Sequence, residues 1–171
     1  NQVLGRLTDE QHKVLETVYR NSEELLELID NVLWMTSLNA GDTEDVSDEF
    51  DVRSIVREAI QRHEGVISEK KLTLSTEMPE TVVVIASDRL KVERIFQNVF
   101  NNAVKFTDKG SLRVTACPSA DPAGVELVVA DTGVGIEKSR LASVFEPFQQ
   151  VEGALVRACT GLGLGLTVAS R

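Results

Sequence analysis

Three polar side chains share one face of a predicted helix in the second half of the chain. Asn98 and Asn102 are four residues apart and Lys105 follows three residues later, which aligns them along one helical face. An amide oxygen is a neutral ligand suited to Mg²⁺, and a nearby ammonium can pair with a phosphate. A plain polar exterior is the alternative, since apolar residues of the same helix would form its buried face: Ile95, Val99 and Ala103.

A second candidate site follows a strand-like run from Val125 to Ala130. The next residues are Asp131-Thr132-Gly133-Val134-Gly135. A carboxylate at a strand end can accept a hydrogen bond from an exocyclic amine, and glycines let the backbone approach a flat ring closely. An ordinary Asp-Thr-Gly turn is the alternative explanation.

Glycines alternate with leucines near the end of the chain, at Gly161, Gly163 and Gly165. Such spacing presents backbone N–H groups to phosphate oxygens without side-chain obstruction. No Gly-Lys-Ser/Thr follows, so this is not a Walker A loop, and the spacing differs from the dinucleotide-binding fingerprint. The alternative is a flexible hinge before a helix that begins near Leu164.

Two aromatic rings flank a rigid turn in the segment Phe145-Glu146-Pro147-Phe148. We expect these rings to anchor the base of a mobile lid from Gln149 to Thr160, although a simple core anchor is the alternative. The lid contains one cation, Arg157, which we predict as a partner of a terminal phosphate.

The elements that must position these residues mix helices and strands in an α+β order. The best helix of the second half runs from Asp88 to Phe106, and a turn at Asp108-Lys109-Gly110 follows. Strands are predicted at Phe50–Val52, Leu72–Ser75, Thr81–Ile85, Ser111–Cys117 and Val125–Ala130, and another helix at Val52–Glu69.

A long helix is predicted from Thr8 to Leu38, with Thr8 and Gln11 as a capping box and Gly41 as a stop. Its apolar residues form a heptad seam, which favours a helical bundle across a dimer over packing on the downstream domain. The seam comprises Leu15, Val18, Ser22, Leu25, Ile29 and Val32.

Composition excludes several classes of function. The chain has 171 residues with 27 acidic against 18 basic, so nucleic acid and anionic membranes are poor candidate partners. No apolar run is long enough to span a membrane and no signal peptide is recognised, so we expect a cytoplasmic setting, with a parent protein that a membrane could still anchor. Cys117 and Cys159 lack ligand-like spacing and are expected to be reduced.

Taken in order, the four segments resemble the N, G1, F and G2 boxes of sensor histidine kinases. The boxes correspond to Asn98–Thr107, Asp131–Ile136, Phe145–Phe148 and Gly161–Leu166, and Asp88 matches the family's Asp ahead of the first box. The resemblance implies a two-layer α/β sandwich, the Bergerat ATP-binding fold, preceded by a long coiled-coil-like helix. It also implies a partial dimerisation hairpin at residues 1–41, a linker at 42–49 and a catalytic domain at 50–171.

The resemblance also implies roles for individual residues. Asn102 would bind Mg²⁺ and Asn98 would lie beside the phosphates of ATP, and these two residues with Arg157 are the predicted catalytic groups. Lys105 would contact phosphate, and Asp131 would bind the adenine amine. The other predicted nucleotide contacts are Gly133, Gly135, Ile136, Phe148, Gly161, Gly163, Gly165 and Leu166.

The implied reaction is transfer of the ATP γ-phosphoryl to a His on an upstream phosphoacceptor helix, within a homodimer that then serves a response regulator receiver domain. That helix and the family's closing strands are not recognised in these residues, so we expect this segment not to phosphorylate itself. His12 lacks the acceptor context and is expected to be solvated, and His63 is also expected on the surface. Because Leu162 stands where the family often has Thr, a nucleotide-binding regulatory module without transfer stays an alternative.

Overall fold

The computed structural model describes residues 7–40, 47–80, 83–119, 124–146 and 165–169. Along these residues the elements are α1 (Asp9–Ala40), β1 (Asp48–Asp51), α2 (Val52–Glu69), β2 (Thr73–Glu77), β3 (Val84–Ser87), α3 (Arg89–Phe106), β4 (Ser111–Pro118), β5 (Val125–Asp131), a 3₁₀ turn (Lys138–Arg140) and α4 (Gly165–Ala169). The α+β order predicted from the sequence is confirmed.

Helix α1 begins at the predicted capping box. The Thr8 N–H donates to Gln11 Oε1 at 2.9 Å, and the Gln11 N–H donates to Thr8 Oγ1 at 3.2 Å. Most of the described seam is exposed to solvent, at Leu15, Val18, Ser22, Leu25 and Ile29. The predicted stop at Gly41 lies outside the described residues.

Helix α1 contacts α4 and also Arg94 of α3. The Arg94 guanidinium lies 5.8 Å from the centroid of the Trp34 ring, and its Nη1 lies 4.0 Å from Asp30 Oδ2. The helix therefore touches the downstream elements near its C-terminal end, while the predicted bundle across a dimer stays a prediction.

Two small sheets support the second half of the chain. Strand β1 pairs antiparallel with β3, and β4 pairs parallel with β2 and antiparallel with β5. In the second sheet Leu112 lies opposite Leu74 on one side and Asp131 on the other. The central strand β4 therefore holds the end of β5, where Asp131 stands, in a fixed register.

The core lies between helices α2 and α3 and strand β4. Each fully buried side chain contributes about 1.5–3 kcal/mol through removal of apolar surface from water. The largest of the fully buried apolar side chains are Val52, Ile55, Val56, Phe100, Leu112 and Val114. This core fixes α3, the helix that carries the predicted polar face.

Predicted bounds of α2 and α3 agree closely with the structure, because both helices begin at an Asp whose side chain accepts from a backbone N–H of the first turn. These caps are Asp51 for α2 and Asp88 for α3. Strands β4 and β5 begin where predicted and end one residue later. The first three strand predictions were displaced: β1 ends before Val52, which begins α2, and β3 runs from Val84 to Ser87 rather than from Thr81 to Ile85. Strand β2 likewise runs from Thr73 to Glu77.

Two burial predictions were wrong. Ile95, expected on the buried face of α3, is 40% exposed, because the core side of that helix is formed by Phe96, Phe100 and Val104. His63, expected on the surface, is half-buried: its Nδ1 lies 2.9 Å from Ala59 O and its ring packs edge-on against Phe100 at 5.4 Å.

His12 is exposed, with its Nε2 3.3 Å from Glu16 Oε1, as expected for a solvated residue. Cys117 is a free, exposed thiol, and Cys159 lies outside the described residues. Among the residues that the structure describes, no helix has the length and apolarity needed to cross a membrane.

Candidate nucleotide site

The polar face of α3 points partly into the protein. Asn98 is only 7% exposed, whereas Asn102 and Lys105 are half-buried. Within the described part of the chain, Asn98 Nδ2 is a buried donor with no hydrogen-bond partner. A buried amide donor without a partner is costly unless a ligand or water accepts from it, so this face is not an ordinary polar exterior.

Gly165, the last glycine of the alternating run, lies directly over this face. A Cβ built on Gly165 would lie 3.5 Å from Asn98 Oδ1 and 3.8 Å from Asn102 Nδ2. These are ordinary van der Waals distances, so the start of α4 lies against both carboxamides. Leu166 beside it is half-buried, and Thr167 is 1% exposed.

The loop after β5 folds back onto the end of α3. Asp131 is the last residue of β5 and is exposed; its Oδ1 accepts from the Gly133 N–H at 2.8 Å. The Val134 N–H donates to Phe106 O at 3.3 Å. A Cβ on Gly133 would collide with that same Phe106 carbonyl oxygen, so only glycine permits this approach.

Thr132 fastens the same loop to the start of β4, a role that the sequence analysis missed. Its Oγ1 accepts from the Ser111 N–H at 2.9 Å, and its N–H donates to Ser111 O at 3.1 Å. Gly110 has a φ of +117°, and a Cβ there would collide with Thr132 Oγ1. The sequence Asp-Thr-Gly predicts a turn. Which residue the threonine contacts follows only from the pairing of β4 with β5.

Beyond Gly133 the loop is open to solvent. Gly135 has a φ of +68° with open space where a Cβ would stand, and Ile136 is 42% exposed. Val134, Leu141 and Phe145 are also exposed. Phe145 is 51% exposed, so the alternative of a simple core anchor does not hold for this ring, and its place at the base of a lid stays a prediction.

Several predicted site residues lie outside the described residues: Phe148, Arg157, Gly161 and Gly163, together with Leu162. Of the predicted residues that are described, Asn98, Asn102 and Gly165 are brought together directly. Asp131 and Gly133 meet the same helix at its C-terminal end. Lys105 lies between these two groups in the sequence of α3, with its Nζ 5.9 Å from the centroid of the Phe106 ring.

Within the described ranges, no group of three His, Cys, Asp or Glu side chains could hold a metal ion. At the start of α2, a hydrogen bond between the two side chains lowers the pKa of Asp51 and raises the pKa of Arg53. What the site offers is therefore carboxamides, an ammonium, one carboxylate and closely approaching backbone, which suits a polar ligand with its own negative charge.

Comparison with known proteins gives a consistent result. Residues 87–171 match the family model described as "Histidine kinase-, DNA gyrase B-, and HSP90-like ATPase". The chain is 34% identical to the autoinducer 2 sensor kinase/phosphatase LuxQ of Vibrio cholerae, over 98% of this chain and 20% of that protein. It is 33% identical to the virulence sensor protein BvgS of Bordetella pertussis, over 98% of this chain and 14% of that protein.

Solved structures agree with these sequence matches. Full-length ShkA in complex with AMPPNP is similar over 97% of this chain and 34% of that chain, with a TM-score of 0.75 and 29% identity. The histidine kinase AdeS of Acinetobacter baumannii, at 19% identity, shares the fold with a TM-score of 0.70 over 98% of this chain and 74% of its own. The chain spans about a fifth or less of the length of the two relatives LuxQ and BvgS.

Proposed function

We propose a residue-level account of nucleotide binding for this chain, which belongs to the histidine kinase-, DNA gyrase B-, and HSP90-like ATPase family and forms the ATP-binding catalytic region of a two-component sensor kinase. One observation carries the account: two segments far apart in the sequence both meet helix α3. Gly165 lies against its carboxamides, and Gly133 and Val134 lie against its final carbonyl.

The phosphates are proposed to lie at the carboxamide side of α3. Asn98 Nδ2 is buried and lacks a partner in the described residues, so a phosphate oxygen would satisfy it. Asn102 is proposed to hold Mg²⁺ through its amide oxygen, with the remaining ligands coming from the nucleotide and water, because the described residues contain no acidic or histidine cluster for the ion. Lys105 is proposed to pair with phosphate as a point charge.

The adenine base is proposed to lie beside Asp131. One carboxylate oxygen already accepts from the Gly133 N–H, and within the described residues the other oxygen is available to accept from the exocyclic amine. Gly133, Gly135 and Ile136 would flank the ring. This arrangement gives the base end a fixed acceptor on a strand, while the phosphate end lies on a helix.

ATP supplies a γ-phosphoryl group, and we propose that the intact kinase passes it to a His on its phosphoacceptor helix and then to a response regulator receiver domain. The chain's part is positioning and charge stabilisation, as in other phosphoryl transfers. Gly161, Gly163, Leu166, Phe148 and Arg157 are proposed to complete the phosphate end, and α1 to pair with its copy in a homodimer.

Calorimetric titration of the chain with AMPPNP, with and without Mg²⁺, tests this account. Saturable binding that Mg²⁺ strengthens is expected. Asp131→Asn should weaken binding by roughly tenfold or more, because a carboxylate that can only accept becomes an amide that can present a donor to the amine. Glu126→Gln, which removes the same charge from the exposed side of the same strand, is the matched control and should bind normally.

Asn102→Ala should abolish most of the Mg²⁺ dependence while leaving binding of adenosine unchanged. An unaltered Mg²⁺ response in Asn102→Ala would remove this residue from the metal site. Full affinity in Asp131→Asn would remove the base from the β5 loop.

A further inference from the structure

The side-chain ammonium of Lys70 caps the C-terminal end of helix α3. Its Nζ donates to Val104 O at 2.9 Å, to Lys105 O at 3.0 Å and to Thr107 O at 3.1 Å. These three bonds use the full donor capacity of an ammonium. Asp108 Oδ1 lies 3.4 Å from the same nitrogen and adds an ion pair at the exposed side.

The carbonyls that Lys70 binds belong to the helix end that has no intrahelical partners. The last turn of any α-helix leaves carbonyl groups unpaired, and the helix dipole makes this end favourable for a cation. Helix α3 stops at Phe106, and Thr107 after it is extended, with φ −108° and ψ 108°. Without the ammonium, these carbonyls would lose their cationic partner in a half-buried position.

Lys70 can hold α3 because its own backbone is fixed at the end of α2. Lys70 is the C-cap of α2 and its N–H donates to Val66 O. Lys71 then adopts a φ of +54°, and the Leu72 N–H donates back to Ile67 O at 3.0 Å, which closes the helix end. The stem of Lys70 thus leaves a rigid turn, and the side chain is 25% exposed.

The same stretch of α3 supports both halves of the nucleotide site. Lys105 lies within it, and Asn102 lies one turn before. The Phe106 carbonyl, between two carbonyls that Lys70 binds, accepts from the Val134 N–H and closely contacts Gly133. A shift of this helix end would therefore move the phosphate-side groups and the base-side loop relative to each other.

We propose that Lys70 is a positioning residue of the ATP site, which it stabilises by fixing the end of α3 rather than by touching the nucleotide. The inference rests on the proposed function. Lys70→Met keeps the apolar stem but removes the ammonium. The dissociation constant for AMPPNP should rise about tenfold, since small displacements of the groups that contact the nucleotide weaken its binding strongly. Lys70→Arg should recover most of that affinity, because it retains a cation and several donors.

Two controls separate this role from loss of stability. Lys71→Met removes the same charge from the exposed neighbouring position and should leave AMPPNP affinity unchanged. Asp88→Ala weakens the opposite end of α3 and should lower the unfolding temperature without changing affinity. Affinity that follows unfolding temperature across all these variants would overturn the inference.

The outcomes also separate the inference from the function on which it rests. If the unaltered chain does not bind AMPPNP, both are overturned. If Asp131→Asn weakens binding but Lys70→Met binds normally, the inference alone is wrong. Lys70→Gln, a neutral variant that keeps a donor, replaces Lys70→Met if the latter does not fold, and normal affinity there would overturn the inference equally.

Discussion

The two ends of helix α3 are capped differently. Asp88, the residue directly before the helix, caps its first turn, whereas Lys70, from the end of α2, caps its last turn. The Asp88 side chain, directly before the helix, accepts from the Lys91 N–H at 3.1 Å. At the other end, Lys70 reaches carbonyls that are 34 or more residues away in the sequence. The first cap needs only local structure, whereas the second needs α2 and α3 to be packed already.

The two ends also differ in what surrounds them. Near Asp88 the contacts are structural: Arg89 donates to Ser54 Oγ at 3.0 Å and to Glu58 Oε1 at 2.9 Å. Near Phe106 the contacts belong to the loop that follows Asp131. Changes at the first end should therefore reduce stability alone, and changes at the second end should reduce nucleotide affinity as well.

Gly133→Ala, at the C-terminal end, has the largest expected effect. The added methyl group would collide with the Phe106 carbonyl oxygen and with Asp131 Oδ1, and backbone cannot yield as a flexible side chain can. The free energy of unfolding should fall by about 2–3 kcal/mol, as for an overpacked site. AMPPNP affinity should fall by roughly tenfold, because the loop must move. Urea unfolding followed by circular dichroism and calorimetric titration measure the two quantities.

Gly65→Ala is the matched control for this substitution. Gly65 lies inside α2 with open space where a Cβ would stand, so alanine should stabilise the helix by about 0.5–1 kcal/mol. An equal loss of stability in both variants would show that the contact with Phe106 is not the cause.

Asp88→Ala, at the N-terminal end, should cost about 1 kcal/mol of folding free energy through loss of the cap. AMPPNP affinity should stay within about twofold of that of the unaltered chain, an expectation that follows from additivity of distant sites. Asp88→Asn keeps a side-chain acceptor for the Lys91 N–H, so its loss of folding free energy should be only a fraction of that in Asp88→Ala. A tenfold loss of affinity in Asp88→Ala would contradict the contrast between the two ends.

The same contrast explains which features the sequence could predict. Asp88 and Asp51 stand directly before apolar helical periodicity, so both helix starts were predictable from local chemistry. The burial of Asn98 was not, because helical spacing shows which residues share a face but not which neighbouring element covers that face. The contact of Lys70 with α3 was equally unpredictable, since the sequence pattern does not distinguish an exposed lysine from one that caps a helix.

Burial of His63 and exposure of Phe145 were missed for the same physical reason. His63 packs against Phe100 from a different helix, and Phe145 stands on a loop whose neighbours the sequence does not specify. Asp131 was predictable as a strand-end carboxylate, and its contact with the Gly133 N–H is a local turn that spans two residues. The seating of that loop on α3, by contrast, depends on the pairing of β4 with β5.

Lys71→Gly tests the turn from which Lys70 reaches α3. Lys71 has a φ of +54°, a conformation that glycine adopts without the penalty of a Cβ. The free energy of unfolding should rise by about 0.5–1 kcal/mol. This gain is smaller than the full energetic penalty of a Cβ at positive φ, because glycine has more conformational freedom in the unfolded chain. Lys71→Ala loses the same charge but keeps a Cβ, so it should show no gain by urea unfolding.

Acid should weaken the ion pair between Asp51 and Arg53 at the start of helix α2, and this is the smallest of the expected effects. The Arg53 guanidinium, 2.8 Å from Asp51 Oδ2, holds the pKa of the Asp51 carboxyl below its usual value of 3.8. A lowered folded-state pKa contributes stability that is present above the unfolded-state value and is lost as pH falls through the folded-state value. The contribution should stay below about 0.5 kcal/mol, because the pair is partly solvated.

Asp51→Asn isolates this charge, since the amide oxygen can still accept from the Arg53 N–H that Asp51 Oδ1 now accepts at 3.0 Å. The difference in unfolding free energy between the unaltered chain and Asp51→Asn should be constant near neutral pH and shrink as pH falls below 3.8. AMPPNP affinity at neutral pH should be the same in both, because Asp51 caps α2 at the end away from Lys70. Weaker AMPPNP binding in Asp51→Asn would show that the local caps also position the site. That result would contradict the contrast between the two kinds of helix end.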